Sequence, residues 1–443
     1  MNPTRAWVAL ALLFAINLMN FFDRQLLGVV GETIRKEWHL NDKALGLLGT
    51  AFTLIYACVG LPLGRLSDRM PRTRILSTGV LVWSVLTAAS GVCTTFAQLF
   101  AVRLGVGVGE ASCAPAASSL IGDLFPAHKR ANALSIFMLG LPLGIALSFF
   151  LGGYITTHHG WRSAFFVAAI PGILCAAWAL LLPEPARGAA ERHAVGSAQR
   201  EGLPVLLVLS IPTMWWVIAS GALHNFNMYA IGSFLAPLLM RYHHLDIGEA
   251  SRIAAVTYGL SGIPGLMLGG LLADALSHGS RNGRMVLAAM TFLLAAPLTF
   301  LGIHQAPGET GAFLAYMATG IALMYVYYSA TYATIQDLVE PSLRGMAMAV
   351  YFFAMYLLGA SAGPYATGFL SDRFSESAAR AAGVTTFTTQ TLEPHRGAGL
   401  HAAMYVIPLF NAALTLCMFM ASRTVARDAA KVQEWMKSAR RTP

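Results

Sequence analysis

Charge is what this 443-residue chain has least of. Asp, Glu, Lys and Arg together make 12% of it, against 56% hydrophobic residues and a mean hydropathy of +0.59. Soluble proteins carry roughly 25% charged residues, so a set of soluble domains is excluded. Cysteine is scarce: Cys58, Cys93, Cys113, Cys175 and Cys417 all fall in apolar segments, without a CxxC pair or a neighbouring His cluster. They read as small buried hydrophobes, neither a disulfide framework nor a metal site. No GxxxxGK[ST] motif is present, which removes the sequence basis for ATP-driven pumping. HExxH and a plausible GxSxG elbow are missing too, and no nucleophile–base constellation is visible, so the chain is not read as an enzyme. No cofactor or metal is expected.

What is present is apolar sequence in runs of about 20 residues, each long enough to cross the hydrocarbon core of a bilayer. Twelve candidate spans cover 6–29, 44–66, 75–96, 98–121, 131–156, 163–182, 213–239, 250–273, 284–304, 311–335, 344–370 and 401–422. The start, MNPTRAWVALALLFAIN, mimics a signal peptide, but the apolar run continues into Asn20 and Asp23 and reads as a retained first span. The fold class expected is therefore an all-α polytopic membrane protein. With both termini in the cytoplasm, 19 of the 30 Lys and Arg fall inside, which fits the positive-inside rule. The net charge of +9 sits mostly in short loops and the tail, so it signals topology and not a nucleic-acid partner.

Residues 183–204, PEPARGAAERHAVGSAQREGLP, form the longest polar stretch between spans and read as a cytoplasmic loop dividing six helices from six. The halves, 1–182 and 205–422, echo one another. DLFPAHKR (123–130) follows span 4 and DLVEPSLR (337–344) follows span 10, with Asp and Arg at matching offsets. GRLSDR (64–69) follows span 2 and GGLLAD (269–274) follows span 8. Two matched halves are what alternating access around a midplane site requires. The tail, 423–443, places Val425, Val432, Trp435 and Met436 on one side and basic residues on the other, an amphipathic pattern suited to the cytoplasmic leaflet.

The stretch RLGVGVGEASCAPAASSLIGDLF (103–125) carries the chain's strongest chemical signal. Arg103 and Glu110 lie seven residues apart, two helical turns, and share a face, while Gly105, Gly107 and Gly109 allow close helix approach. Span 1 contains NLMNFFDR (17–24), whose Asn17, Asn20 and Arg24 share a face bordered by Asp23. Adjacent residues point about 100° apart, so Asp23 and Arg24 need partners from other helices or water. Each intramembrane charge costs about 2.5–3.5 kcal/mol on insertion scales. A cluster of Asp23, Arg24, Arg103 and Glu110 is therefore expected, with Glu110 as proton carrier and Asp23 its rival. The loop GRLSDRMPRTR (64–74), with Gly64, Asp68, Arg69 and Arg72, reads as a gate latch, and Asp123, Arg130, Asp337 and Arg344 as candidates for the same role. The second half supplies polar and aromatic positions: His224, Asn225 and Asn227 in span 7, and YVYYSATY (325–332) with Tyr328. One charged wall and one aromatic wall suit an amphipathic substrate with a polar or anionic head.

The 6+6 plan and GRLSDRMPRTR resemble the major facilitator superfamily and its signature loop between helices 2 and 3. Within it the chain is similar to the Spinster family through FFDR (21–24), GVGEAS (107–112), DLF (123–125), LSIF (134–137) with Pro142 and Gly144, GWRSAF (160–165) and EPARGAAERH (184–193). The first half carries this likeness densely and the second more thinly. The resemblance implies proton-linked transport of lysolipids or sphingoid phosphates, with Asp23, Arg24, Arg103 and Glu110 as functional residues. The order RxxxxxxE on span 4 and DR on span 1 also resembles the organic anion:cation symporters, which keeps sugar acids as an alternative. Span 5, GLPLGIALSFFLGG (140–153), lacks the Gly-Pro step of the drug-antiporter motif, which disfavours drug exchange. A sensor without flux is a further alternative, disfavoured by the absence of a long appended domain. The partners expected are membrane lipid, the substrate and protons, in a monomer of the cytoplasmic membrane.

Overall fold

The computed structural model describes residues 3–186, 203–280, 282–340 and 343–439, and these contain helices and connections without a β-strand. Inside a bilayer, helices satisfy every backbone group within one segment. The first part comprises α1 (Pro3–Glu37), α2 (Asp42–Arg69), α3 (Arg72–Ser90), α4 (Phe96–Glu110), α5 (Cys113–Leu124), α6 (Ala127–Met138), α7 (Gly140–His159) and α8 (Trp161–Leu181). After the central loop, of which 187–202 lie outside the described residues, come α9 (Pro204–Leu209), α10 (Pro212–Arg241), α11 (Ile247–Ala254), α12 (Gly262–Gly279), α13 (Gly283–Ile303) and α14 (Thr310–Asp337). The chain ends with α15 (Arg344–Ala354), α16 (Ala362–Ala381), α17 (Thr389–Leu392), α18 (Arg396–Met404) and α19 (Val406–Ala439).

Ten helical segments among the described residues are long and apolar enough to cross a membrane. Two of the twelve expected spans fall outside that set for visible reasons. Span 4 is broken at Ala111 and Ser112 into α4, 15 residues, and α5, 12 residues. Span 7 is the 30-residue α10, whose hydropathy is lowered by His224, Asn225 and Asn227 at its middle. Spans 8 and 11 each contain a π-helical turn, Ala255–Leu260 and Met355–Ala360.

Packing groups the chain into two compact units. The first joins Met1–Ala194, Tyr229–Leu260 and Ser361–Ala403; the second joins Val195–Met228, Ser261–Ala360 and Met404–Pro443. In the first, α1 packs on α7, α3 on α8 and α4, and α2 on α16. Its apolar core includes Leu13, Ile16, Trp83, Val106, Leu120 and Phe137. In the second, α13 packs against α14 and α19. On α19, which runs unbroken to Ala439, Val425, Ala429 and Val432 are buried. Asp428, on the same helix, accepts hydrogen bonds from the Thr213 amide (3.0 Å) and hydroxyl (2.7 Å) at the start of α10. The apolar stripe read as lipid-facing thus meets protein at Val425 and Val432. Of the cysteines, Cys93 and Cys113 are buried, whereas Cys58 is exposed on α2. Cys58 thus corrects the buried reading of all five, because an apolar run does not say which of its faces turns inward.

Candidate functional site

The glycines of α4 bring the charged residues together. A methyl on Gly107 would stand 2.8 Å from the Phe52 carbonyl oxygen of α2, and one on Gly109 would stand 2.8 Å from the Trp83 nitrogen and 2.9 Å from the Gly79 oxygen of α3. Only a bare backbone permits both approaches. They place Glu110, the last residue of α4, against α1. There Arg24 Nε donates to Glu110 Oε2 at 2.9 Å, with both side chains almost wholly buried. Arg24 Nη1 also donates to the Tyr229 hydroxyl at 3.2 Å. Its guanidinium lies 4.3 Å from the Tyr56 ring centroid, 5.0 Å from Phe21 and 5.2 Å from Phe52.

Two helical turns earlier on α4, Arg103 is 1% exposed and turns to the neighbouring residue of α1: its Nη2 donates to the Asp23 backbone carbonyl at 3.4 Å. The Arg103 guanidinium lies over the Phe52 ring at 5.6 Å, so both arginines share one aromatic partner. The Asp23 carboxylate takes a hydrogen bond from Thr87 on α3, 3.3 Å. Arg103 Nε and Nη1, Asp23 Oδ1, Glu110 Oε1 and Asn20 Nδ2 have no hydrogen-bond partner among the described residues. The four charges expected to cluster do so, as one ion pair and two buried groups held by neutral partners. Such a cluster can exchange a proton at either acid while its arginines change partner.

A second charged group lies at another level of the first unit, and spacing within the sequence gave no hint of it. Arg241, at the end of α10, donates to Glu32 of α1 (Nε, 2.8 Å) and to Asp42 at the start of α2 (Nη1 and Nη2, both 2.8 Å). Arg35 holds Glu32 at 2.9 Å and Glu393 at 2.6 Å, and Arg396 of α18 holds Asp372 of α16 at 3.0 Å. Asp372 also accepts from the Asp42 and Lys43 amides at 3.0 and 2.9 Å. Glu32 and Asp42 have side chains with no exposure. These residues come from six helical segments, the 3-10 turn Glu393–His395 among them, spread over more than 360 positions, and only folding makes them one network.

The loop residues form a third group. Arg72, 1% exposed at the start of α3, pairs with Asp123 of α5 and with Glu184 at 2.7 Å, and donates to the Pro185 carbonyl at 2.9 Å. Glu184 lies outside the membrane-spanning helices. Burial acts to raise its pKa but is outweighed by hydrogen bonds from the Thr73 backbone, Arg72 and the Thr73 hydroxyl, which hold it below the usual carboxylate value. Arg130 donates to the Gly122 carbonyl at 2.7 Å. In the second unit Arg284 pairs with Asp337 at 2.5 Å and Arg344 donates to the Gln336 carbonyl at 3.2 Å. The Asp and Arg at matching offsets thus make matching contacts in both parts of the chain. Gly64 is half-buried near the end of α2, Arg69 is exposed, and the Asp68 side chain lies outside the described residues.

Three further candidates sit elsewhere, in the second unit. His224 is fully buried among Tyr327, Tyr328 and Phe292, with ring centroids 4.4, 4.8 and 5.8 Å away. Tyr328 also packs on Tyr325 and Tyr332. Asn227 donates to the Ile407 carbonyl and to Asn411 Oδ1, both 3.0 Å, tying α10 to α19.

Residues 13–364 match the family model described as Major Facilitator Superfamily. An MFS-type efflux pump of Mycolicibacterium smegmatis is 28% identical over 376 residues, covering 85% of this chain and 86% of that protein. Human protein spinster homolog 1 is 29% identical over 405 residues, 84% of this chain and 74% of that protein. Among solved structures, a bacterial homolog to the human lysosomal transporter Spinster, in an inward-facing and unoccupied conformation, superposes with a TM-score of 0.85 at 28% identity, covering 97% of this chain and 99% of the other.

Proposed function

This chain belongs to the major facilitator superfamily and is a polytopic membrane transporter resembling the Spinster proteins; from that premise we propose that it is a proton-coupled secondary transporter of an amphipathic, lipid-like or organic anionic substrate. The carrying observation is the buried Arg24–Glu110 pair beside Asp23 and Arg103. Two acids and two arginines within apolar helices invite a working role, since breaking a buried pair is destabilising by about 3–5 kcal/mol.

In this reading a proton on Glu110 neutralises the acceptor of Arg24, which keeps Tyr229 and the faces of Tyr56, Phe21 and Phe52 as partners. The released guanidinium then attracts an anionic head group, so proton and substrate occupancy are linked through one arginine. Asp23, held by Thr87, is the second titrating acid. The network of Glu32, Arg35, Asp42, Arg241 and Arg396, all with buried side chains, and the more exposed Asp372 and Glu393 seals the face opposite the cytoplasm, and Arg72 with Asp123 and Glu184 latches the cytoplasmic one. Both termini are cytoplasmic, the membrane is the plasma membrane, and the transporter works as a monomer. No resident cofactor takes part; the proton is the coupling ion.

The test is reconstitution in liposomes loaded with a pH-sensitive dye, adding lysophospholipids, sphingoid phosphates and sugar acids separately. Protein-free liposomes and the Glu110→Gln protein run alongside, because lysolipids make membranes leak. Proton movement on lysolipid addition, lost in both controls, is expected. A response to sugar acids alone moves the protein to the organic anion symporters. Full proton-driven transport by both Glu110→Gln and Asp23→Asn would refute the coupling assignment.

A further inference from the structure

Beside the charge cluster the first unit contains a cavity of about 30 Å³, lined among others by Arg24, Gln25, Phe52, Arg103, Tyr229 and Ser233. Its volume suits one or two water-sized bodies and is far below the roughly 300–1,000 Å³ of a pocket for an organic ligand. Neither Asp23 nor Glu110 lines it. The wall therefore presents two guanidiniums, an amide and two hydroxyls, with no negative charge. Arg103 is 1% exposed, and its Nε and Nη1 lack a hydrogen-bond partner among the described residues. Leaving buried charged donors unmatched is costly, and an anion in the cavity would offset the charge of the Arg103 guanidinium that lines it.

We propose that this cavity is a binding site for a small monovalent inorganic anion of the size of chloride, held chiefly by Arg103 and bordered by Gln25, Tyr229 and Ser233. Charge balance links the site to protons. Asp23 and Glu110 offset Arg24 and Arg103 when both acids are ionised, so one proton on either acid leaves the cluster with one excess positive charge. An anion restores neutrality where the dielectric is low. Besides each other, the titratable groups facing these acids are Arg24 of α1, Arg103 of α4 and Cys113 of α5, while Tyr56 of α2 and Tyr229 of α10 lie against Arg24. Of these only the two arginines carry charge at neutral pH. Proton and anion therefore bind with positive cooperativity. This linkage rests on the proton-coupling reading; the anion site itself does not.

The measurement is ³⁵Cl NMR line width on the full-length protein in detergent, in gluconate buffer to which chloride is added. The wild type is expected to broaden the chloride line, bromide to reverse the broadening and further gluconate to leave it unchanged. Arg103→Gln removes the guanidinium and Ser233→Leu fills the cavity, and both are expected to abolish the effect. Should Arg103→Gln fail to fold, Ser233→Leu decides. Broadening that is absent from the wild type, or kept in Ser233→Leu, overturns the site. Affinity is expected to rise as pH falls, by about 5- to 150-fold, the usual range of coupling between sites, and to lose part of that dependence in Glu110→Gln. Broadening that Ser233→Leu abolishes but pH does not change supports the site and overturns the linkage alone.

Discussion

Replacing Arg241 with Gln is the sharpest test of the buried network, because this one side chain serves two acids that have no exposure of their own. In the wild type it makes two hydrogen bonds to Asp42 at 2.8 Å and two to Glu32, from Nε at 2.8 Å and from Nη2 at 2.5 Å. Without it, Glu32 keeps Arg35 at 2.9 Å, and Asp42 keeps the Ser371 hydroxyl at 2.6 Å and Arg396 at 3.9 Å. Neither acid becomes isolated, but Glu32 and Asp42, without exposure of their own, then share Arg35 and Arg396 with the more exposed Asp372 and Glu393. Loss of one partner of a buried pair is destabilising by about 3–5 kcal/mol, or roughly two to nearly four orders of magnitude in an equilibrium at 1.36 kcal/mol per tenfold. Chemical unfolding in detergent measures the single variants and the double variant with Asp42→Asn. A coupling energy of about 1–3 kcal/mol is expected for residues in direct contact. The exposed Arg252–Glu249 pair, 3.9 Å apart with both side chains at least half exposed, supplies the comparison, since such pairs contribute about 0–1 kcal/mol. An Arg241→Gln effect no larger than that of Arg252→Ala, or effects at Arg241 and Asp42 that simply add, would refute the reasoning.

The two matching loop pairs should behave unequally despite their shared pattern. Arg72→Ala is expected to be destabilising by several kcal/mol because Arg72 is 1% exposed and serves two acids, whereas Arg284→Ala should shift stability by less than about 1 kcal/mol because Asp337 is 59% exposed. Equal effects would show that burial is not what separates them. Since Glu184 is held below its ordinary pKa in the folded chain, its stabilisation is present above the unfolded carboxylate value, about 4.3, and disappears as pH falls through the lower folded one. Stability of the wild type should therefore fall on acidification more steeply than that of Glu184→Gln, as read by unfolding at stepped pH; identical slopes would count against the assignment. Gly109→Ala places a carbon 2.8 Å from the Trp83 nitrogen, so a lowered thermal midpoint and weaker proton-coupled flux are expected, and wild-type values for both would mean that α3 moves aside freely.

How much of this was legible beforehand differs by feature. Membrane spans are local: twenty apolar residues announce themselves without reference to any other part of the chain. That Asp23, Arg24, Arg103 and Glu110 would gather was nearly as readable, because a charge inside an apolar span must find a partner and few residues were available to supply one. The loop echo was visible as Asp and Arg at equal offsets, and the contacts repeat with it. The break at Ala111 and Ser112 carried no comparable signal, since the apolar run continues straight through it.

Composition, spacing and helical periodicity by themselves determined an all-helical membrane protein whose intramembrane charges lie in its first half, because hydropathy and the 3.6-residue turn act over short stretches. Only the tertiary structure decided which acid meets which arginine: Arg103 turned to the Asp23 backbone and left Asp23 to Thr87. It alone joined Glu32, Asp42, Arg241 and Arg396, near helix ends where a charge in the sequence signals only contact with water, to Asp372 in the middle of α16. Their burial is a property of five packed segments at once, and no single stretch of chain carries it.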